Sequence, residues 1–239
     1  MPSPTPAVEA IGFDLGETLL TYAGTPLNWS ALYPAALAQV ASHCQIDPTA
    51  AQLTHAGAIL SRYNTRLNPR QEEITAAALF REILESWALA PAPHLPTAMA
   101  AFFGFFQQRM TPYPEAAATL RQLRERGIRI GVLTDVPYGM PRDFVLHDLA
   151  GAGLTALIDV VLTSTDVGWR KPATAGFESL ARQLSVPPHQ LWYFGNEHKD
   201  IAGAAAAGAT AVLVDRAGLE PAWGQHHTVR DLTGLLALL

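Results

Sequence analysis

Short, almost continuously apolar runs recur along the chain and predict the strands of a buried sheet. Each of the five ends in or beside a polar residue or a glycine: Val8–Asp14, Ile128–Asp135, Ile158–Thr163, Leu191–Gly195 and Ala211–Asp215. Runs with so few polar interruptions are typical of strands that are covered on both faces. The pattern therefore favours a sheet enclosed between two layers of helices.

Stretches with helical spacing of apolar residues lie between these runs, and they predict crossover helices at Pro114–Arg126, Ala173–Leu184 and Ile201–Ala207. Regular alternation of strands and helices is typical of βαβ units, and hence of a mostly parallel sheet. The last residues, Thr228–Leu239, have the pattern of a closing helix.

About 90 residues separate the first strand from this alternation, and they have helical rather than strand patterns. The predicted helices are Ser30–Ser42, Thr49–Tyr63, Gln71–Trp87 and Pro96–Met110. A segment of this length is too long for a loop, so we predict a helical domain inserted at residues 22–111 into a core of residues 1–21 and 112–239. The phenylalanines at 102, 103, 105 and 106 are expected to form the interior of that insert.

Composition narrows the classes of function. Only 15% of the 239 residues are charged and 49% are hydrophobic, which indicates a globular protein. A net charge of −5 without a basic run argues against nucleic acid as the partner. Cys44 is the only cysteine, no apolar run is long enough to span a membrane, and Met1–Ala10 does not read as a signal peptide. We therefore expect a cytoplasmic protein that does not bind membranes.

The chemically reactive side chains of the chain concentrate at predicted strand ends. Asp14 ends the first strand, Thr134 and Asp135 end the second, and Gly195 leads into a polar loop that reaches Asp200. Ligands of open parallel sheets bind beyond the carboxyl ends of the strands, so these groups should meet at one rim. Lys171, in the turn Arg170-Lys171-Pro172 before a helix, adds a cation to the same set.

Four segments in order resemble the motifs of the haloacid dehalogenase superfamily. They are F-D-L-G-E-T-L at Phe13–Leu19, the strand that ends in Thr134, R-K-P at Arg170–Pro172, and F-G-N-E-H-K-D-I-A-G-A at Phe194–Ala204. The position of the helical insert is similar to that of the superfamily's helical caps. The resemblance implies an α/β fold, with a Rossmann-like parallel sheet core and an inserted α-helical cap domain.

The same resemblance implies a role for each matching residue. Asp14 would attack the substrate and form a covalent aspartyl intermediate that water hydrolyses. Thr134 would bind phosphate through its hydroxyl and the neighbouring backbone N–H, at Asp135, and Lys171 would neutralise both the phosphate and Asp14. Catalysis would require Mg²⁺, with a small phosphorylated metabolite as substrate. The implied metal ligands are the Asp14 carboxylate, the Gly16 carbonyl, and the side chains of Asn196 and Asp200.

The chain departs from the superfamily's phosphatases at two positions. Gly16 stands where a second acid normally carries out proton transfer, a contribution of roughly 10²–10⁴ in rate, and Asn196 replaces another acid. We hypothesise that Glu17 takes over part of the proton transfer; the alternative is that it points to solvent. Asp135 stands where many relatives have asparagine, and its charge would repel phosphate unless it is protonated or paired with a metal.

Three functions remain open at this point. The first is a Mg²⁺-dependent phosphatase with weakened activity. The second is a carbon–halogen hydrolase, since such enzymes also lack the second acid and need no metal, although R-K-P and the Asp200 loop look more like the phosphatases. The third is a non-catalytic relative that binds a phosphorylated ligand or a protein. Four residues of the insert, Trp29, Arg62, Tyr63 and Arg66, are expected to lie on solvated helix faces rather than in a substrate pocket.

Overall fold

A computed structural model describes residues 8–239, so the predictions made for the first seven residues lie outside the described part of the chain. Eight strands are present in it: β1 (Ala10–Phe13), β2 (Leu20–Tyr22), β3 (Met110–Pro112), β4 (Arg129–Thr134), β5 (Val160–Thr163), β6 (Leu191–Gly195), β7 (Thr210–Val214) and β8 (His227–Val229). Nine α-helices accompany them in the same residues: α1 (Tyr33–His43), α2 (Ala50–Tyr63), α3 (Ala76–Ser86), α4 (Pro91–Gln107), α5 (Ala116–Glu125), α6 (Arg142–Gly151), α7 (Ser164–Val167), α8 (Ala175–Gln183) and α9 (His198–Ala206).

Six strands form one parallel sheet in the order β5-β4-β1-β6-β7-β8. All four residues of β1 are fully buried or nearly so, and two hydrophobic clusters cover the sheet. The smaller cluster contains residues of α8 and α9, and the larger one joins α5 and α6 to the helices that precede β3. This confirms the predicted α/β fold with a parallel sheet buried on both faces.

The helices of the long insert pack on one another. Helix α4 packs against α1 and α3, and α2 packs against α3. At the two ends of the insert, β2 and β3 pair as an antiparallel ribbon with Leu20 opposite Pro112 and Tyr22 opposite Met110. The chain thus leaves and re-enters the sheet region side by side. The domain boundaries at residues 21/22 and 111/112 stay a prediction.

Several elements differ from the sequence predictions. The last residues form β8 and a 3₁₀-helix at Leu232–Ala237 rather than one helix, because Val229, Leu232 and Leu235 are buried against the sheet edge. Helix α4 begins at Pro91 instead of Pro96, with prolines tolerated in its first turn. Helix α6 was not predicted.

The helix predicted at Gln71–Trp87 begins only at Ala76. The residues before it are extended: Glu73 N donates to Gly168 O at 2.9 Å, and Arg170 N donates to Gln71 O at 2.7 Å. Thr75 then caps the helix by accepting a hydrogen bond from Ala78 N. These residues are extended rather than helical because they form backbone hydrogen bonds with Gly168 and Arg170, which are distant in sequence. Among residues 8–239, no helix is both long and apolar enough to cross a membrane.

Candidate active site

The three central strands of the sheet bring the predicted site residues together. β1 lies between β4 and β6, so Asp14, Thr134 and Gly195 are at adjacent strand ends. Asp14 N continues the ladder by donating to Phe194 O at 2.8 Å. Asp14 and Thr134 are each 7% exposed, which leaves their side chains accessible only from the cavity at this rim.

Lys171 is the buried cation beside Asp14 and Asp200. Its Nζ lies 2.8 Å from Asp14 Oδ1 and 2.6 Å from Asp200 Oδ1, and it also contacts Leu133 O at 3.3 Å. Burial alone would lower the pKa of Lys171, but Asp14 and Asp200 outweigh it and raise the pKa well above its ordinary value. Lys171 is therefore a fixed positive charge beside the candidate nucleophile.

Tyr193 belongs to the site although it was not among the predicted site residues. Its hydroxyl donates to Leu133 O at 2.7 Å and lies 3.2 Å from Lys171 Nζ, while its ring packs edge-on against Phe177. Burial raises the pKa of this hydroxyl well above its ordinary value, despite the opposing charge of Lys171. The only available signal was a hydroxyl-bearing residue in the otherwise apolar strand L-W-Y-F-G. Tyr193 thus helps to fix the lysine.

Asp200 sits fully buried in the first turn of α9. Its Oδ2 accepts hydrogen bonds from Asn196 N at 3.1 Å and Glu197 N at 2.9 Å, an arrangement that also caps the helix. Burial raises the pKa of the carboxyl to about 6, with Lys171 acting in the opposite direction. Gly195 is required here, because a Cβ on it would lie 2.6 Å from Asp200 Oδ2.

The implied Mg²⁺ site can be tested against these contacts. Asp14 and Asp200 together carry two negative charges against the single charge of Lys171, and buried Asp200 Oδ1 has no well-aligned hydrogen-bond donor. Asn196 Oδ1, which accepts from Thr18 Oγ1 at 3.2 Å, adds a neutral oxygen. Within residues 8–239 no three His, Cys, Asp or Glu side chains cluster as a metal site. These oxygens are the kind of ligand that a hard cation such as Mg²⁺ prefers. The site carries less negative charge than one with three carboxylates would.

Gly16 and Glu17 occupy the loop after β1. Glu17 has a φ of 57°, a conformation uncommon for a residue with a side chain. Its carboxylate accepts hydrogen bonds from Thr21 Oγ1 at 2.7 Å and from the Tyr113 hydroxyl at 2.8 Å. Glu17 is half-buried and lines the same cavity as Asp14, so it is held in place rather than free in solvent.

Asp135 is part of a network of ion pairs. Its Oδ2 lies 3.2 Å from Lys199 Nζ and 3.7 Å from the Arg170 guanidinium, and its Oδ1 accepts from Lys171 N at 3.0 Å. Burial would raise the pKa of Asp135, but the cations around it outweigh that effect and lower it. The Asp135 carboxyl is therefore ionised, and the side-chain cations around it offset the repulsion that it was expected to exert on phosphate.

Arg170 connects the site to the insert. Its guanidinium forms an ion pair with Glu73, from the extended segment before α3, and donates to Val136 O at 2.7 Å. Ser164 Oγ also donates to Glu73, at 2.6 Å. Both members of the Arg170–Glu73 pair are almost completely buried, and sequence patterns gave no indication of this contact.

A cavity of about 180 Å³ lies at the strand ends, and residues of both the insert and the sheet domain line it. Trp29, Tyr63 and Arg66 line it, so the expectation of solvated helix faces is wrong for these three residues. It is right for Arg62, whose side chain is 57% exposed and pairs with Glu82. Phe106 also lines the cavity, while Phe102 and Phe103 are buried in the interior of the insert as expected.

Comparison with known proteins agrees with this geometry. The model of the family described as haloacid dehalogenase-like hydrolase matches residues 8–208. The chain belongs to that family. Its members in this comparison include a phosphoserine phosphatase of Thermus thermophilus, 37% identical over 69% of this chain and 65% of that protein. The chain spans about half to two thirds of the length of the first curated relatives that it matches.

Solved structures show the same haloacid dehalogenase-like fold. An HAD phosphatase from Thermococcus onnurineus superposes with a TM-score of 0.67 at 23% identity, covering 96% of this chain and 97% of that one. A 2-haloacid dehalogenase from Pseudomonas syringae pv. Tomato DC3000 superposes with a TM-score of 0.68 at 24% identity, covering 97% and 98%. Structural likeness at these identities shows the fold and does not separate the two activities.

Proposed function

We propose that this haloacid dehalogenase-like hydrolase is a Mg²⁺-dependent phosphatase that acts on a small phosphorylated metabolite. The observation that carries the proposal is the buried Lys171 between Asp14 and Asp200, directly behind a cavity that Asp14 and Thr134 line. The phosphatase names of the curated relatives support it.

Asp14 is the nucleophile in this proposal. A carboxylate oxygen of Asp14 forms a bond to phosphorus while the bond between phosphorus and the ester oxygen breaks, and the departing alkoxide takes up a proton. Water then attacks the aspartyl phosphate and releases inorganic phosphate, which restores the carboxylate. Lys171 and the Thr134 hydroxyl, with the backbone N–H of Asp135, hold the phosphoryl oxygens and offset their charge.

Glu17 is the proposed proton-transfer group, since Gly16 offers no side chain. It lines the cavity with Asp14, and its two hydrogen bonds to Thr21 and Tyr113 fix the direction of the carboxyl. Such a group supplies a proton to the leaving oxygen and afterwards removes one from the attacking water.

The Mg²⁺ ligands in this proposal are the Asp14 and Asp200 carboxylates, the Gly16 carbonyl and the Asn196 amide oxygen. When bound, the ion neutralises charge on the phosphoryl group. With only two carboxylates among its side-chain ligands, the site should bind Mg²⁺ more weakly than a site with three.

Phosphate release from 4-nitrophenyl phosphate tests the proposal, with Mg²⁺, with excess chelator, and with Asp14→Asn. We expect release that disappears with chelator and in Asp14→Asn, and that persists in Asp47→Asn, where the same change is made on an exposed side chain. Halide release from 2-haloacids in the presence of chelator would instead establish the carbon–halogen hydrolase. A rise in melting temperature with inorganic phosphate, but no turnover of either ester or haloacid, would establish the binding protein.

A further inference from the structure

Aromatic side chains form one wall of the cavity. The Trp29 and Phe106 rings stack with their centroids 3.7 Å apart and an angle of 8° between their planes, and the Tyr138 ring lies 5.5 Å from Trp29. Met140 and Val145 line the cavity beside them. Phe106 and Tyr138 are only 2% and 4% exposed, so the wall presents mainly the partly exposed Trp29 ring to a ligand, at little cost in side-chain entropy.

A buried polar network holds this aromatic wall in place. The Tyr138 and Tyr33 hydroxyls lie 2.6 Å apart, and Asn64 Nδ2 donates to the Tyr33 hydroxyl and to Asn28 Oδ1, both at 2.8 Å. Asn28 Oδ1 also accepts from Ser30 N, which fixes the turn that carries Trp29. Tyr138 keeps a φ of 54°, a conformation rarely adopted by bulky residues, and such strain is retained where the surroundings enforce it. The wall is therefore preorganised.

The cations that line the cavity are already paired with carboxylates of the protein. Arg66 pairs with Glu197, Lys199 lies 2.8 Å from Glu197 and 3.2 Å from Asp135, and Arg170 pairs with Glu73. Among residues 8–239, no cation without such a partner lines the cavity. A second anionic group on a substrate would have to displace one of these carboxylates.

We infer that the preferred substrate is a phosphate monoester whose leaving group is uncharged and aromatic, with its ring against Trp29, which Phe106 and Tyr138 hold in place. The inference rests on the proposed phosphatase function. Phosphoserine, named for the Thermus relative, carries a carboxylate, and the cations that line this cavity are already paired with carboxylates of the protein. The aromatic wall and the paired cations together exclude small, doubly charged esters as good substrates.

The test compares three esters of primary alcohols, so that intrinsic leaving-group reactivity stays similar: 2-phenylethyl phosphate, propyl phosphate and O-phosphoserine. We expect kcat/KM for 2-phenylethyl phosphate to exceed the other two by about tenfold or more, because burying the ring removes apolar surface from water. Trp29→Ala should cut the preference for the phenylethyl ester over the propyl ester by about tenfold. Phe105→Ala, a neighbour of Phe106 that does not line the cavity, should leave it unchanged.

The outcomes separate this inference from the proposed function. Asp14-dependent turnover that favours O-phosphoserine or propyl phosphate would overturn the aromatic specificity and leave the phosphatase standing. Turnover of none of the three esters would overturn the phosphatase function. The melting temperatures of the wild type and of Trp29→Ala with each ester would then show which ligand the cavity prefers. A larger rise in melting temperature with 2-phenylethyl phosphate than with propyl phosphate, lost in Trp29→Ala, would support the aromatic site; equal shifts would overturn it.

Discussion

The Tyr113 hydroxyl donates a 2.8 Å hydrogen bond to Glu17 Oε2, which connects the loop after Asp14 to the residue that follows β3. Burial and the neighbouring Glu17 raise the pKa of Tyr113 to about 12, so this hydroxyl keeps its proton at neutral pH. The Arg216 guanidinium covers the Tyr113 ring at 3.4 Å from its centroid. The ribbon of β2 and β3 therefore controls where the Glu17 carboxylate points.

Glu17→Gln should lower kcat by roughly 10²–10⁴ for an alkyl phosphate, whose leaving group needs a proton. Glutamine keeps the size of Glu17 and one of its two acceptor oxygens, but it does not transfer a proton. The measurement is kcat across pH, with the loss smaller for 4-nitrophenyl phosphate because its leaving group departs without protonation. Thr21→Val, which removes one hydrogen bond and keeps the carboxyl, is the matched control and should cost much less. An unchanged kcat in Glu17→Gln would show that Glu17 only shapes the loop.

Gly16→Asp should raise phosphatase activity. A Cβ added at Gly16 meets no atom within 4 Å, and Gly16 is not among the glycines with positive φ, so an aspartate fits without strain. It would restore the acid that proton transfer normally uses, and we expect kcat for alkyl phosphates to rise by at least tenfold. Gly57→Asp adds the same charge at another open position, in α2, and should have no effect. Equal or lower activity in Gly16→Asp would mean that the cavity does not accept an acid there.

The sequence predicted the strand ends well because each signal is local. Asp14, Thr134 and Asp200 follow or end apolar runs, and parallel pairing brings such ends together whatever the intervening chain does. Tyr193 was missed because its role depends on a lysine 22 residues away. The Glu73–Arg170 pair was missed for the same reason, and with it the extended segment that shortens α3. Both the role of Tyr193 and the start of α3 depend on contacts between residues far apart in sequence, which the periodicity of apolar residues does not encode.

Lys171→Met should abolish phosphate release and also destabilise the fold. The substitution leaves Asp14 and Asp200 buried beside each other without a cation, and loss of one partner of a buried ion pair costs about 3–5 kcal/mol. Urea unfolding of the wild type and the variant measures the difference. Lys199→Met, which removes a lysine that is 26% exposed, should lower stability by far less.

A second substitution separates stability from chemistry at the same site. Asp200→Asn in the Lys171→Met background removes one of the two unpaired charges, so it should recover part of the lost unfolding free energy without restoring turnover. Asn still offers an acceptor oxygen to the N–H groups of Asn196 and Glu197. Additive losses in the double variant would contradict the view that Lys171 is needed to balance Asp200.

Asp148→Asn should stabilise the protein at neutral pH. Asp148 is 2% exposed, and burial raises the pKa of its carboxyl although hydrogen bonds from Tyr22 and Gln107 oppose this. Both bonds, of 2.6 and 2.8 Å, go to Oδ2, so the single carbonyl oxygen of asparagine can accept them.

The pH dependence of that effect follows from the sign of the pKa shift. A carboxyl whose pKa is raised on folding favours the native state while it is protonated, and this contribution is lost as pH rises through the folded-state pKa. Asp148→Asn does not titrate, so its melting temperature should exceed that of the wild type by a few degrees at pH 7, given roughly 2–4 °C per kcal/mol for a chain of this length. The difference should shrink below about pH 4, the range in which an unperturbed aspartate also binds its proton.

Asp143→Asn, on the exposed face of the same helix, is the control and should show neither the gain in melting temperature nor its pH dependence. A gain for Asp148→Asn that is equal at pH 7 and pH 4 would rule out buried charge as its cause.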